Sequence, residues 1–192
     1  MSKAADNAPL PPSLLLHVCC GPCSTACVER LRAGGCEPTL FYSNANIAPR
    51  EEYERRRDTA AKFAEKAGLK FVEDVEASHD EWLEKVAHGY ENEPEGGARC
   101  RRCFAFNLSR AAAYARANGF GSFTTSLTVS PHKRSALVFE AGHEAGGEAF
   151  AEIDFKKRDG FKRSIELSAE LGLYRQSYCG CEFSMRDSAR GH

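Results

Sequence analysis

Short apolar runs alternate with segments of helical period along the chain. Runs rich in Leu, Val, Ile, Phe and Thr predict strands at residues 14–18, 39–43, 69–74, 122–129 and 149–155. Helical periodicity predicts helices at residues 24–33, 51–67, 80–88, 103–118, 135–142 and 161–171, several of which are followed by glycine. Strands that alternate with helices through short connections form parallel sheets. We therefore predict an α/β fold, a Rossmann-like parallel sheet flanked by helices.

The sequence indicates a single domain. Its 192 residues contain neither an internal repeat nor a linker, and a chain of this size buries a core without disulfide staples. We expect residues 1–13 to be a disordered N-terminal lead, residues 14–184 to form the domain, and residues 185–192 to be a C-terminal tail. The sequence contains no apolar run close to the ~20 residues of a membrane helix and no signal-peptide core. We therefore expect no membrane partner and a cytoplasmic location.

The net charge of −1 hides an uneven distribution of charged residues. Segment 73–95 contains nine acidic residues and one lysine, whereas segment 96–119 contains five arginines and no acidic residue. A further segment, 154–163, contains five basic and two acidic residues. Charged runs are commonly just solvated surface. Basic segments beside cysteine motifs are, however, also what a binding site for a polyanion requires.

Nine cysteines give the clearest chemical signal in the chain. In a reducing compartment they are more commonly metal ligands or redox groups than disulfides, and an odd count argues against a fully paired scaffold. Cys19, Cys20 and Cys23 follow the first predicted strand, where a phosphate-binding α/β protein would carry a glycine-rich loop. Because ligands bind beyond the carboxyl ends of parallel strands, this position predicts a metal or electron-transfer site. We expect Cys27 and Cys36 to be small core residues.

A second group of thiols, Cys100 and Cys103, has the C-x2-C spacing of zinc and iron–sulfur ligands. Because 76 residues lie between Cys23 and Cys100, a compact zinc ribbon is not expected, and the two groups can meet only at the edge of the sheet. The adjacent Cys19 and Cys20 are poor disulfide partners but can bind different atoms of a four-iron cluster. Together with Cys100 and Cys103 they complete four ligands, with Cys23 as a substitute. Structural zinc remains an alternative.

The C-terminal pair, Cys179-Gly180-Cys181, has a different spacing. One intervening glycine allows a disulfide in a tight ring that is easily reduced, and glycine supplies the backbone freedom that such a ring needs. We interpret Cys179 and Cys181 as a redox-active, catalytic dithiol. The alternative is that they are two further metal ligands.

The chain carries, in this order, the motifs HVCCGPC, FYSNANIAPREEYERR, RCRRCFAFNL, FTTSLTVSPHK, DFKKRDGFKRS and LYRQSYCGC. In this combination it resembles the cobalamin-independent epoxyqueuosine reductases. The resemblance implies a Rossmann-like iron–sulfur oxidoreductase that reduces the epoxide of epoxyqueuosine, at the anticodon wobble position of tRNA, to the alkene of queuosine. Gly21 stands where the family pattern leads us to expect alanine.

The resemblance also implies roles for individual thiols. The redox-active pair corresponds to Cys179 with Cys181, and a further iron near the cluster would use Cys23. The ligands of a [4Fe–4S] cluster correspond to Cys19, Cys20, Cys100 and Cys103. The implied partners are tRNA that bears epoxyqueuosine in its anticodon loop and an electron donor that the sequence does not identify.

A tRNA anticodon loop is recognised through its phosphates and by stacking of its bases. The basic residues that we expect to contact phosphates are Arg99, Arg101, Arg102, Lys133, Lys156, Lys157, Arg158, Lys162 and Arg163. The aromatic residues that we expect to stack on bases are Tyr42, Phe104, Tyr174 and Tyr178. The candidate proton donors are Asp154, His17 and His132. For each of these residues taken singly, a structural role is the simpler interpretation.

Two other functions fit parts of the pattern. A zinc-stabilised, non-catalytic nucleic-acid-binding protein would use the same cysteine pairs, and it predicts a colourless protein in which Cys179 and Cys181 are inert. A tRNA sulfur transferase would use these two residues as a persulfide relay. Such an enzyme normally adenylates its target, and the sequence lacks the pyrophosphatase loop that adenylation requires.

Overall fold

A computed structural model describes residues 10–189 and shows a four-stranded parallel sheet. The strands are β1 (Ser13–His17), β2 (Glu37–Tyr42), β3 (Phe71–Glu73) and β4 (Phe123–Thr125), arranged in the order β3-β2-β1-β4. In the centre of the sheet, β1 pairs with both β2 and β4, and Leu16 stands opposite Leu40 and Thr124. The predicted α/β class with a parallel sheet is confirmed.

Helices cover both faces of the sheet. They are α1 (Gly21–Ala33), α2 (Arg50–Ala67), α3 (His79–Trp82) with a π-helical turn (Leu83–Ala87), α4 (Ala98–Ala117), α5 (Ser135–Gly146), α6 (Gly160–Glu170) and α7 (Glu182–Ala189). Leu14 and Leu16 of β1 pack towards α1 and α2, whereas Leu15 packs towards α4. This division follows from the alternation of side chains along a strand. All three leucines are completely buried, as expected for a strand covered on both faces.

Two of the strand predictions are wrong in extent. The predicted strand 122–129 ends at Thr125 and continues as a 3₁₀ turn, Ser126–Val129, because the Thr125 hydroxyl accepts a hydrogen bond from the Leu127 N–H (3.2 Å). The predicted strand 149–155 makes only one bridge, between Phe150 and Phe123. The segment has no continuous ladder of backbone hydrogen bonds, and threonine hydroxyls bind it instead. Thr124 Oγ1, for example, donates to the Ala151 carbonyl (2.8 Å).

Two helices differ from the sequence prediction at functionally important places. Helix α4 begins at Ala98, five residues before the predicted start. The Glu93 carboxylate accepts a hydrogen bond from the Ala98 N–H (2.9 Å), which satisfies one of the free donors at this helix terminus. Helix α7 was not predicted, and it spans the expected boundary between domain and tail. The remaining parts of the predicted lead and tail, residues 1–9 and 190–192, lie outside the described residues.

The strand order places the first cysteine loop at the point where the sheet reverses direction. The chain passes from β1 outward to β3 and then crosses to β4 on the other side of β1. The Cys19 N–H, after β1, donates to Ser126 Oγ, after β4 (3.0 Å). Ligands of open α/β sheets bind at this switch point. Within residues 10–189, no helix has the length and apolar character needed to cross a bilayer.

Candidate functional site

Three thiols form a compact group where β1 meets α1. The sulfur atoms of Cys19, Cys20 and Cys23 all lie within 4.8 Å of one another. Cys20 is the N-cap residue of α1, and its sulfur accepts a hydrogen bond from the Cys23 N–H (3.4 Å). Pro22 occupies the first turn of the helix, where its missing N–H has no consequence. This arrangement could hold a metal ion through three sulfur ligands.

Hydrogen bonds within this group separate the acidities of its thiols. Bonds from Cys20 and Cys23 hold the pKa of Cys19 well below its ordinary value, and the positive charge of Lys133 adds to the effect. The bond to Cys19 raises the pKa of Cys20 to about 12. A hydrogen bond between Cys23 and Cys19 likewise raises the pKa of Cys23 well above its ordinary value. These shifts favour ionisation of Cys19 over that of the other two thiols, and a metal that binds them as thiolates would displace the protons that they carry.

The second group of thiols lies on α4. Cys100 and Cys103 are half-buried and stand three residues apart, so both sulfurs lie on one side of the helix. Burial raises the pKa of both thiols, and the charges of Cys179 and Cys181 act in the same direction. Neither residue belongs to the compact group, which contains Cys23 instead.

The third group, Cys179 and Cys181, interacts electrostatically with both of the others. Burial raises the pKa of Cys179, Lys133 opposes this effect, and the charges of Cys181 and Cys19 increase it. The charge of Cys179 in turn raises the pKa of Cys103, and Cys181 packs in the same apolar cluster as Cys103. All nine cysteines are free, so the Cys179–Cys181 pair is a dithiol in this structure.

A hydrogen-bond donor reaches each of the four thiols that were predicted as cluster ligands. The donors are Ser126 Oγ to Cys19 (3.4 Å), Gln176 Nε2 to Cys20 (3.2 Å), the Gly96 N–H to Cys100 (3.2 Å) and Asn107 Nδ2 to Cys103 (3.7 Å). Such bonds stabilise thiolates and tune metal–sulfur centres. Gln176 and Asn107 also have a buried oxygen that lacks a partner among residues 10–189. Buried polar atoms are normally paired, so these oxygens remain available to a ligand.

The structure gives two of the three candidate proton donors local structural partners. His17 is completely buried between Thr125 Oγ1 (2.8 Å) and the Ser43 carbonyl (3.0 Å), and burial lowers its pKa. Asp154 accepts a hydrogen bond from Ser135 Oγ (3.0 Å). His132 is exposed. His17 uses both ring nitrogens within the protein, so the simpler, structural interpretation fits it.

The basic residues divide into structural and exposed ones. Arg99 is buried and donates to the carbonyls of Tyr90 and Glu93 (3.0 and 2.6 Å), so its expected contact with phosphate is wrong. Arg102 donates to the carbonyls of Lys85 and Val86. Others have partners nearby, since Lys156 Nζ donates to the Lys133 carbonyl (2.5 Å) and Arg163 pairs with Glu29 (2.9 Å). The exposed members of the predicted set are Arg101, Arg102, Lys157, Arg158 and Lys162.

The aromatic candidates divide in the same way. Tyr42 and Phe104 are buried in the hydrophobic core, so their predicted role in stacking is wrong. Tyr174 and Tyr178 are half-buried, and each has an arginine guanidinium over its ring. Cys27 and Cys36 lie in the same core cluster as Tyr42, which confirms their predicted role.

Sequence reasoning missed the polar side chains that support the thiols. These are Ser126, Gln176, Asn107 and, against the carbonyls of Tyr178 and Cys179, Arg56. Each lies inside one of the six motifs quoted above, and this position was the sequence signal that could have identified it. The contacts of Ser126, Gln176 and Arg56 could not be predicted, because each joins segments that are distant in sequence. The contact of Asn107 with Cys103 is different, because the two residues stand four apart on one helix.

Comparisons with known proteins identify the family. Residues 14–187 match the family model described as epoxyqueuosine reductase QueH. A relative of that name from Acinetobacter baylyi is 39% identical over 192 residues, which cover 98% of this chain and 86% of the relative. Relatives from Streptococcus pyogenes and Thermotoga maritima are 38% and 37% identical and cover 97% and 94% of this chain, and 75% and 94% of their own lengths.

Solved structures with a similar fold support the architecture. The U34-tRNA thiolase NcsA from Methanococcus maripaludis, solved with its [4Fe-4S] cluster, aligns with a TM-score of 0.55 at 12% identity over 90% of this chain and 61% of its own. A predicted subunit of a tRNA methyltransferase from Methanocaldococcus jannaschii aligns with a TM-score of 0.54 at 16% identity over 82% of this chain and 75% of its own. These structures show the fold alone. The sequence relatives and the family match show that the chain belongs to the epoxyqueuosine reductase QueH family, a family of oxidoreductases.

Proposed function

We propose that this oxidoreductase converts epoxyqueuosine, at the wobble position of a tRNA anticodon, to queuosine. The observation that carries the proposal is the arrangement of thiols at the switch point of the sheet. Cys19, Cys20 and Cys23 lie within 4.8 Å of one another, the charge of Cys19 acts on Cys179, and the charge of Cys179 acts on the α4 pair. Family membership indicates the substrate, and the arrangement of thiols provides a site for electron transfer beside the bound substrate.

The proposed cofactor is a [4Fe–4S] cluster held by Cys19, Cys20, Cys100 and Cys103. The donor set fits such a cluster, since four thiols from two elements each accept a hydrogen bond at sulfur. Cys23 lies close enough to Cys19 and Cys20 to bind a further iron. When bound, the cluster would supply one-electron transfer and a Lewis-acidic iron for the departing oxygen.

Cys179 and Cys181 are proposed to supply the two electrons and two protons of the reduction. Both C–O bonds of the epoxide break and a C=C bond forms. The oxygen leaves as water with the two thiol protons, and an S–S bond forms between Cys179 and Cys181. An external reductant, either a dithiol or a low-potential electron carrier, then returns two electrons and two protons to the disulfide. The positive charge of Lys133 lies near Cys179 and favours its thiolate.

The anticodon loop is proposed to approach the carboxyl end of the sheet, where basic side chains remain exposed. Arg101 is exposed on α4, next to Cys100 in the sequence, and Arg158 and Lys162 are exposed just before α6 and in its first turn. Contacts of these cations with phosphates would position the loop. Nine free thiols and a tRNA substrate both fit the reducing cytoplasm.

Reconstitution tests the proposal. We expect anaerobically purified protein to be brown and to form queuosine over many turnovers from tRNA bearing epoxyqueuosine and dithionite. Cys179→Ser and Cys181→Ser should lose multiple turnover, whereas Cys36→Ala, a change in the core, should retain it. Colourless protein with stoichiometric zinc and no queuosine would favour the nucleic-acid-binding alternative. Full turnover in the two serine variants would exclude the dithiol from the reaction.

A further inference from the structure

A buried ion pair on α2 faces the segment 174–181, which precedes and includes Cys179 and Cys181 and is called the dithiol loop below. Arg56 and Glu52 are 1% and 7% exposed, and Arg56 Nε donates to Glu52 Oε1 (2.7 Å). Burial of two charges is costly unless their remaining hydrogen-bonding groups are also satisfied. The partners of the rest of these two side chains therefore indicate what the pair is built to hold.

Those partners come from the segment that precedes and includes Cys179. Arg56 Nη1 donates to the Cys179 carbonyl (2.9 Å) and Nη2 to the Tyr178 carbonyl (3.3 Å). The Arg56 guanidinium also lies 4.9 Å from the centre of the Tyr178 ring. On the other side, the Tyr174 hydroxyl is 3.0 Å from each carboxylate oxygen of Glu52. The ion pair thus binds residues on both sides of Gln176.

A second set of contacts fixes the same segment against the loop that precedes α2. The Tyr178 hydroxyl donates to the Ala48 carbonyl (2.7 Å), and the Ala48 N–H donates to the Gly180 carbonyl (2.9 Å). Gly180 has φ of +145°, and a β-carbon there would lie 3.1 Å from Arg56 Nη1 and from the Ile47 side chain. Three consecutive backbone carbonyls, from Tyr178 to Gly180, are therefore held while both thiols are reduced.

From these contacts we infer that Arg56, oriented by Glu52, is a positioning residue for the dithiol. It holds the backbone of Cys179-Gly180-Cys181 in the arrangement of the reduced thiols and so disfavours the disulfide. A disulfide across one intervening residue closes a tight ring, and any change in the torsion angles around Gly180 that accompanies its closure would strain the bonds from Arg56 to the Tyr178 and Cys179 carbonyls. The inference rests on the proposed function in one respect only, namely that Cys179 and Cys181 form a redox pair.

The geometry also explains why the residue is arginine. A guanidinium presents donors in a rigid planar fork, and here separate nitrogens serve Glu52, Cys179 and Tyr178. A lysine would retain the charge but could not reach three acceptors in these directions. Arg56→Lys thus separates the positioning role from the charge.

The experiment is a thiol–disulfide titration of the anaerobic holoprotein in glutathione buffers of graded potential, the range in which a strained disulfide titrates. After alkylation, tryptic cleavage at Arg175 and Arg186 gives a peptide, residues 176–186, whose only cysteines are Cys179 and Cys181. Its oxidised fraction is read by mass spectrometry. We expect Arg56→Lys to shift the equilibrium constant at least tenfold towards the disulfide, which is about 30 mV for this two-electron couple.

Arg57→Lys is the matched control on the same helix, because Arg57 pairs with Asp58 and Glu73 instead. It should titrate within twofold of the wild type. If Arg56→Lys does not fold, Tyr174→Phe, which removes the hydroxyl bound to Glu52, should give a smaller shift of about threefold in the same direction.

Two results would overturn the inference alone. The first is an Arg56→Lys variant, or the Tyr174→Phe variant used in its place, whose equilibrium equals that of the wild type or shifts towards the dithiol. The second is an Arg57→Lys control whose equilibrium shifts as much as that of Arg56→Lys. A wild type in which the peptide forms no disulfide at any potential would overturn both this inference and the proposed dithiol reaction. The titration uses no tRNA, so its result does not depend on the substrate.

Discussion

At the scale of single residues, hydrogen bonds to sulfur tie the proposed cluster to the dithiol loop. Gln176 lies three residues before Cys179, and its amide donates to the Cys20 sulfur (3.2 Å). A donor at a cluster sulfur stabilises the more reduced, more negatively charged state. One side chain therefore connects the segment of the proposed dithiol to a proposed ligand of the cluster.

Replacing Gln176 by Leu should lower the reduction potential of the cluster. The lost bond is worth on the order of 1 kcal/mol, so at 59 mV per tenfold change we expect a decrease of roughly 30–60 mV. The measurement is a redox titration followed by electron paramagnetic resonance. Ser177→Ala, a change at an exposed neighbour, should leave the potential unchanged. An unaltered potential in the leucine variant would mean that the bond does not act on a cluster ligand.

Gly21 has a packing reason that the sequence did not show. A β-carbon at this position would lie 2.8 Å from both Thr59 Cγ2 and the Thr59 carbonyl oxygen. The backbone oxygen cannot move aside as a flexible side chain can. Helices α1 and α2 therefore approach more closely here than an alanine at position 21 would allow.

Gly21→Ala should lower the free energy of unfolding by about 1–3 kcal/mol, the usual cost of overpacking. Chemical denaturation measures the change. The matched control is Gly121→Ala, because Gly121 is exposed and a β-carbon there meets no atom within 4 Å; its effect should stay within about 0.5 kcal/mol. Equal stabilities of the two variants would contradict the proposed close packing.

At the scale of secondary-structure elements, α7 anchors the end of the dithiol loop. Its first residue, Glu182, accepts a hydrogen bond from His79 Nε2 (3.3 Å), and His79 Nδ1 bonds the Ala45 carbonyl (2.7 Å). The His79 ring also stacks on Trp82, with ring centres 5.7 Å apart. The bond to Glu182 raises the pKa of His79 above its ordinary value of 6.5.

This pair should make the stability of the protein depend on pH with a definite sign. Because the pKa of His79 is raised in the folded state, the stabilisation is fully present below pH 6.5 and is lost as the pH rises through the raised pKa. Glu182→Gln should therefore destabilise more at pH 6 than at pH 8.5, as measured by urea denaturation at the two values. His79→Gln should remove that difference. An effect of Glu182→Gln that does not vary with pH would contradict the assignment.

The elements that were predicted correctly and those that were not differ in how they are stabilised. Leu14, Leu15 and Leu16 make a strand from burial alone, and the apolar run shows this directly. Helix α4 starts earlier than predicted because Glu93 reaches its N-terminus and Arg99 binds carbonyls of the preceding loop. The segment 149–155 is held by threonine hydroxyls from the 123–128 region. The contacts at the start of α4 are local and those of segment 149–155 are long-range, but both are single polar contacts, and these leave no periodic pattern in the sequence.

At the scale of the whole molecule, the compact group of thiols follows the carboxyl end of β1, and part of the exposed basic surface lies on the helix that carries the second group of thiols. Helix α4 carries Arg101 near its start and Arg116 near its end, and both are exposed. At 1.5 Å per residue they are about 22 Å apart along the helix. Only Arg101 is adjacent to the thiols, so the two arginines form a natural comparison for binding of tRNA.

Binding of tRNA should weaken with added salt, and Arg101→Ala should weaken it further. Loss of one phosphate contact should lower the slope of log Kd against log salt by roughly 0.7–0.9. Filter binding at a series of salt concentrations measures both quantities. Arg116→Ala should bind like the wild type. A salt-independent affinity, or equal effects of the two substitutions, would contradict the proposed basic surface.

The sequence by itself determined the α/β class, the core positions of β1 and the presence of thiols directly after the first strand. Burial of apolar runs and the chemistry of thiols are properties of residues, and a linear pattern displays them. The motifs of the sequence also indicated the family.

Only the tertiary structure decided which groups meet. The order β3-β2-β1-β4 brings Ser126 to Cys19, Gln176 lies against Cys20, and Arg56 lies beneath Cys179. The same packing buries Arg99, Tyr42 and Phe104. Their basic or aromatic character alone had predicted that these side chains contact RNA. Whether a charged or aromatic side chain faces solvent or a neighbour depends on how distant segments pack together, and the chain order alone does not specify this.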